Sequence, residues 1–229
     1  MPPILGYWAI RGLAQPIRLL LNYVGEEFED VKYEQGDPPQ YSREAWNSVK
    51  PTLGLPFPNL PYYIDGDMKI TQSNAIMRYI GRKHNMLGSS EREKVRVDMM
   101  ENQAMDFRNN VVRLCYNPEY EKLKVNYFKN LPLLLKQFEE FLGDDPWFGG
   151  KNITIVDFPM YELFDQHKLM ESTSLDNFPK LCAFMKRFEE LPNIKKYMSS
   201  DKFMSRPVNN KVAQFKCSIT SSAKPEQNI

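Results

Sequence analysis

Residues 4–33 read ILGYWAIRGLAQPIRLLLNYVGEEFEDVKY. Three patterns follow one another along them. Ile4 to Tyr7 is short and apolar, a buried strand, and Arg11-Gly12 makes a loop after it. From Gln15 onward Ile17, Leu20, Leu21 and Val24 fall at i, i+3, i+4 and i+7, the stripe of an amphipathic helix. Pro16 suits the first turn of that helix and Gly25 its stop. Phe28 to Tyr33 reads as a second strand. Strand, helix and strand in so short a span make a βαβ unit, so the two strands are expected to run parallel.

Downstream, 36–61 is rich in Pro and Gly. Tyr62 to Ile64 and Met68 to Ile70 are strands around an Asp65-Gly66 turn. Ser73 stands where an N-cap belongs, ahead of a helix carrying Ile76, Tyr79 and Ile80. The order β-α-β, loop, β-β-α is that of a thioredoxin-like α/β domain, assigned to 1–84. Residues 85–89 read as a linker. From there to 217 only helical patterns occur, an all-α domain.

Ser90 and Glu93 form a capping box opening a helix to about Asn117. A second helix, from about Glu119 to Leu142, aligns Phe128, Leu131, Leu135 and Phe138 and is expected to kink at Pro132. Thr154 and Asp157 read as a cap for a helix ending near Leu169, with a bend at Pro159 after its first turn; another helix carries Leu181, Phe184, Met185 and Phe188. Residues 218–229 are polar and small, a frayed tail. There is no internal repeat.

The chain has 229 residues, enough for one large domain or two small ones, and 30 Lys plus Arg against 29 Asp plus Glu. A net charge of +1 gives no electrostatic case for nucleic acid or an anionic membrane surface. No run approaches the ~20 apolar residues of a membrane span, and the N-terminus has no signal-peptide pattern. Three distant cysteines, Cys115, Cys182 and Cys217, argue against a disulfide framework and for a reducing compartment, the cytoplasm. His84 and His167 are too isolated to suggest a metal site.

The segments LGYWAIRGLAQPIRLLL at 5–21, SREAWNSVK at 42–50, FPNLPYYIDGDMKITQSNAIMRYI at 57–80, ENQAMDFR at 101–108 and RLCYNPEYEKLK at 113–124 resemble, in this order, the mu class of the cytosolic glutathione transferases. The resemblance runs from about Ile4 to Ala213. It implies a homodimeric enzyme that conjugates the thiolate of glutathione, its co-substrate, to hydrophobic electrophiles for detoxification, with no permanently bound cofactor. A carrier of hydrophobic ligands or a glutathione-dependent isomerase on the same fold stays open.

The chemistry explains what such an enzyme needs. A free thiol has a pKa of ~8.5, so only a small fraction is nucleophilic thiolate at neutral pH. Each unit of lowering requires ~1.4 kcal/mol of preferential stabilisation of the anion, and a hydrogen bond to an ionised acceptor supplies ~1.5–3 kcal/mol. One donor therefore accounts for one or two units. Tyr7 ends the first strand, where a βα loop opens toward ligands, and its phenol stays protonated; the resemblance assigns it the thiol.

Glutathione has two carboxylates and an amine, so its site must be polar. By resemblance, Gln72 and Ser73 hold the γ-glutamyl carboxylate, which suits a helix N-terminus. Asn59-Leu60-Pro61 resembles the segment where a cis-proline turns the backbone of Leu60 toward the cysteinyl amide. Trp8, Arg43, Trp46 and Lys50 match contacts to the glycyl end and the peptide, and Asp106 matches a residue reaching the γ-glutamyl amine across the dimer. Ile10, Leu13, Met105, Arg108, Val112, Tyr116 and Asn209 match the electrophile site, expected to be apolar, with Tyr116 able to hydrogen-bond some electrophiles. Asn209 departs from the apolar or aromatic residue usual there. Phe57 matches an aromatic key inserted into the partner subunit, and Gly36 to Tyr41 a loop typical of the class.

Overall fold

The strand that opens the chain, β1 (Ile4–Trp8), runs one residue beyond the expected Tyr7. It pairs in parallel with β2 (Glu29–Tyr33), and α1 (Gln15–Val24) joins the two. Pro16 lies in the first turn of α1. Gly25 closes the helix at φ 73°, donating its N–H to the Asn22 carbonyl; a side chain there would be strained. The computed structural model describes residues 1–215, so the expected tail and Cys217 lie outside the described residues.

β3 (Tyr62–Asp65) and β4 (Met68–Thr71) form the expected hairpin. The sheet order is β2-β1-β3-β4, with β3 antiparallel to both its neighbours. Gly6 faces Tyr62, and Tyr62 faces Thr71. The next rung of that register is Tyr7, Pro61 and Gln72. At ~4.8 Å between strands, these three backbones leave the sheet within ~10 Å of one another.

The stretch 36–61 holds two short elements that the sequence pattern did not announce, α2 (Glu44–Asn47) and a 3-10 turn at Lys50–Thr52. α3 (Ser73–Lys83) corrects the capping expectation: Ser73 is the first helical residue. Gln72 is the cap, at φ 73° and ψ 114°, with no side-chain capping bond. The sharp turn at Gln72 brings Ser73 into helical register one residue early.

The remainder is helical: α4 (Glu91–Cys115), α5 (Tyr120–Leu142), α6 (Asp157–Met170), α7 (Pro179–Glu189) and an unanticipated α8 (Pro192–Met198). The capping box of α4 is complete. Ser90 Oγ accepts the Glu93 N–H at 3.3 Å, and Glu93 Oε2 accepts the N–H of Ser90 at 3.1 Å and of Ser89 at 2.8 Å. α5 runs unbroken through Pro132. Pro159 stands in the first turn of α6, not beyond it, where its missing N–H would have had no helical partner. The Thr154–Asp157 pair closes the turn before α6: the Asp157 carboxylate accepts from Thr154 N–H at 2.7 Å, Thr154 Oγ1 at 3.1 Å and Phe148 N–H at 2.8 Å. α1 touches α3 beside it and α6 and α8 of the helical part. No helix among the described residues is long and apolar enough to cross a membrane.

One core group makes stability depend on pH. His167 is fully buried, stacked on Phe107 at 4.4 Å. Its Nδ1 is 2.6 Å from the Leu163 carbonyl and its Nε2 2.7 Å from the Tyr127 hydroxyl. Nδ1–H therefore donates to the carbonyl, Tyr127 donates to Nε2, and the ring is neutral. Burial lowers its pKa to about 4. Against ~6.5 in the unfolded chain, the stability it contributes is present above pH ~6.5 and is lost as pH falls, ~2 kcal/mol between pH 7 and 5. Asp157 acts in the opposite sense, since burial raises its carboxyl to about 7. His167→Gln removes only the histidine slope. In urea unfolding, the stability gap between wild type and variant should narrow by ~2 kcal/mol from pH 7 to 5; a constant gap would contradict a neutral buried ring.

Candidate active site

Tyr7 lies at the functional end of β1 with only 6% of its surface exposed. Its phenol oxygen accepts the Leu13 N–H at 3.2 Å. With that lone pair occupied, the hydroxyl proton is free to donate elsewhere. Gly12, at φ 42°, makes the approach possible: a Cβ there would stand 2.7 Å from both Cε1 and the oxygen of Tyr7.

The loop that carries Gly12 and Leu13 is fastened from below. The Arg11 guanidinium binds Glu162 in a fork, at 3.0 and 2.6 Å, and Asp165 at 2.6 Å. It also donates to the Ser205 carbonyl at 3.3 Å. The N–H groups of Arg11 and Gly12 donate to the Pro207 and Val208 carbonyls at 2.9 and 3.2 Å. Arg11 and Glu162 are each 2% exposed. Burial alone would lower the pKa of Arg11, but the two carboxylates outweigh it and raise it, keeping the cation. Arg18 completes the clamp, bonding the Ile10 carbonyl at 2.8 Å and Asp30 at 3.0 Å.

Tyr7, Trp8, Ile10, Arg108, Val112, Tyr116 and Asn209 line one cavity of about 230 Å³, together with Gly12, Gln166 and Asn210, which the sequence did not single out. Leu13 and Met105 line a smaller adjoining space of about 40 Å³ that also reaches Ser73, and Arg108 borders both. The larger cavity is more polar than expected. Two phenols, one guanidinium and three carboxamides face Ile10 and Val112. The Tyr116 oxygen accepts the Asn210 N–H at 2.9 Å, leaving its own proton free, and burial raises its pKa, so it stays protonated. Burial pushes the Cys115 thiol up to about 11, with Asn209 acting weakly in the opposite sense. Cys115 is therefore a protonated thiol and no nucleophile.

The residues expected around glutathione fall in three places. Asn59, Leu60, Pro61, Gln72 and Ser73 flank the ends of β3 and β4 beside Tyr7. The Leu60–Pro61 peptide is cis, and Asn59 Oδ1 accepts the Leu60 N–H at 2.9 Å. Trp46 is largely buried, stacked on Tyr62 at 6.0 Å and edge-on to Tyr33 at 5.4 Å. Arg43 caps α2 and Lys50 opens the 3-10 turn; among the described residues neither has a carboxylate partner within ion-pair distance. Asp106 is exposed on α4. Phe57 is 78% exposed between two prolines.

Comparison with known proteins identifies the family of the two parts of the chain. Residues 3–82 match the family model described as glutathione S-transferase, N-terminal domain, and residues 105–201 its C-terminal domain counterpart. The chain is 55% identical over 213 residues to glutathione S-transferase Mu 4 of Mus musculus, covering 93% of this chain and 98% of that protein. It is 54% identical over 212 residues to glutathione S-transferase Mu 3 of Homo sapiens, covering 93% and 94%. Among solved structures, the glutathione S-transferase Blo t 8 superposes with a TM-score of 0.86 at 36% identity, over 93% of this chain and 99% of that one. A pi-class glutathione S-transferase of Onchocerca volvulus gives 0.82 at 32%, over 93% and 100%. With both domains matched in order and more than half the residues shared with mu-class enzymes, the chain belongs to the glutathione S-transferase family, mu class.

Proposed function

We propose that the protein adds the thiolate of glutathione to electrophilic small molecules, with the Tyr7 hydroxyl holding the sulfur in its ionised form. The observation that carries this reading is the Tyr7 oxygen, filled on one side by the Leu13 N–H and directed into a cavity at the sheet edge it shares with Pro61 and Gln72. The γ-glutamyl carboxylate goes to Gln72, Ser73 and the start of α3, where unpaired N–H groups favour an anion. Leu60 receives the cysteinyl part, and the glycyl carboxylate meets Arg43, Lys50 and Trp8. The thiol proton leaves to solvent, Tyr7 donates to the sulfur anion, and the sulfur attacks the electrophile in the adjoining cavity. Tyr116 donates to negative charge that develops on the electrophile. Mixing the protein with glutathione and 1-chloro-2,4-dinitrobenzene tests this: turnover well above the uncatalysed rate is expected, inhibited by an S-alkyl glutathione. No turnover would refute it.

The working form is a homodimer in this reading, with Asp106 completing the partner's glutathione site. Phe57 would otherwise leave a phenyl ring in water. A groove of about 200 Å³ between α4 and α5, lined by Met99, Gln103, Leu134 and Phe141 among others, offers an apolar seat for Phe57 of the partner subunit. A two-fold axis uses both keys at once. Phe57→Ala should cost at least ~2 kcal/mol per key, so the dimer dissociation constant should rise ~1,000-fold, read by sedimentation. An unchanged constant would remove Phe57 from the interface. Two unpaired thiols among the described residues fit a reducing compartment such as the cytoplasm.

A further inference from the structure

Arg108 has no use in the thiol chemistry above. Its guanidinium borders the electrophile cavity with Tyr7 and Tyr116. Among the described residues its one hydrogen bond goes to Asn109 Oδ1, at 3.3 Å. No carboxylate within the described residues pairs with it, and the two acids that line the smaller adjoining space make their ion pairs with other cations. Glu162 is held by Arg11 and Gln166; Glu101 binds Arg78 through Oε2, and its Oε1 has no hydrogen-bond partner among the described residues, Arg108 included. Burial lowers the pKa of Arg108, the mark of a cation short of solvent and of a partner. A guanidinium so placed gains most from a carboxylate, which it can grip with two parallel N–H bonds. The cavity, at about 230 Å³, falls below the ~300–1,000 Å³ of clefts that take drug-sized ligands.

We infer that the electrophile site selects small acceptors that carry a carboxylate, with Arg108 binding the carboxylate and Tyr116 the conjugated carbonyl. This rests on the transferase reading of the same cavity. A short enone acid fits the arrangement. The glutathione sulfur forms a bond to the β-carbon, the carbon–carbon π bond breaks, and its electron pair moves onto the carbonyl oxygen facing Tyr116. The resulting enolate takes a proton at the α-carbon from water, which replaces the proton the thiol released. No group leaves and nothing is oxidised or reduced overall.

The test compares trans-4-oxo-2-pentenoate with its methyl ester, each corrected for its uncatalysed rate with glutathione. The acid is expected to be preferred in kcat/KM by about 10- to 100-fold, the size of a charge-assisted hydrogen bond. Arg108→Gln should collapse that ratio toward one, whatever it does to the absolute rates, and Arg108→Lys should restore part of it. Equal use of acid and ester by wild type would overturn the inference. So would an Arg108→Gln variant that slows both alike and keeps the ratio, because that pattern places the cation on the thiolate. The neutral aryl halide separates the two levels: turnover of it without acid preference sinks only the role of Arg108, whereas its absence sinks the transferase reading.

Discussion

Tyr7→Phe should lower kcat/KM for a neutral aryl halide about 10- to 100-fold near neutral pH, while the KM for glutathione stays within about threefold. The size follows from the bond removed. One charge-assisted hydrogen bond to the sulfur anion is worth ~1.5–3 kcal/mol, and each ~1.4 kcal/mol is a factor of ten. The split follows from where the bond acts. In the proposed site, contacts at Gln72, Ser73 and Leu60 would bind the peptide whether or not the thiol is ionised, whereas the Tyr7 hydroxyl would favour the ionised form. Phe keeps the ring that packs against Gly12 and deletes only the oxygen bonded by the Leu13 N–H. A loss under threefold would show that Tyr7 packs the loop and does no more.

The largest expected effect on stability comes from Arg11. Removing one partner of a buried ion pair costs ~3–5 kcal/mol, because it strands the other charge. Arg11→Ala strands Glu162, itself 2% exposed, and cuts the side-chain bonds to α6 and to the Ser205 carbonyl. For a chain of this size the melting temperature should fall by about 6–20 °C. At temperatures where the variant stays folded, activity should fall too, since the same loop positions Gly12 and Leu13 against Tyr7. Calorimetry and an activity assay read the two effects. A drop of less than about 2 °C would mean that the network is solvated and contributes little.

Much of the fold could be read from residue pattern because its signals are local. The parallel βαβ unit follows from the switch of apolar period between Tyr7 and Ile17 and from the Pro16 and Gly25 boundaries. The α4 box follows from Ser90 and Glu93 alone. What escaped was set by tertiary contact. The start of α3 moved because Gln72 takes a left-handed turn, which no pattern around Ser73 encodes. α8 spans only seven residues, too few to show a helical stripe. Of the site, Tyr7 was legible from its motif, but its partner was not, since a backbone N–H at Leu13 leaves no trace in residue type. Gly12 did carry a signal, a glycine beside an arginine in a tight loop. Gln166 and Asn210 carried none: they reach the cavity because α6 and the segment after α8 are tied to the loop after β1 at Arg11 and Gly12. The polarity of the cavity beside Tyr7 was foreshadowed by Asn209 and became plain only when Arg108, Gln166 and Asn210 joined it.

Stabilisation of the glutathione thiolate by Tyr7 is read directly by ultraviolet titration of the thiolate in the enzyme–glutathione complex, wild type against Tyr7→Phe. Wild type should titrate at least one unit below the ~8.5 of a free thiol, and the variant should return to within half a unit of it. Equal pKa values in the two complexes would show that the Tyr7 hydroxyl does not stabilise the thiolate.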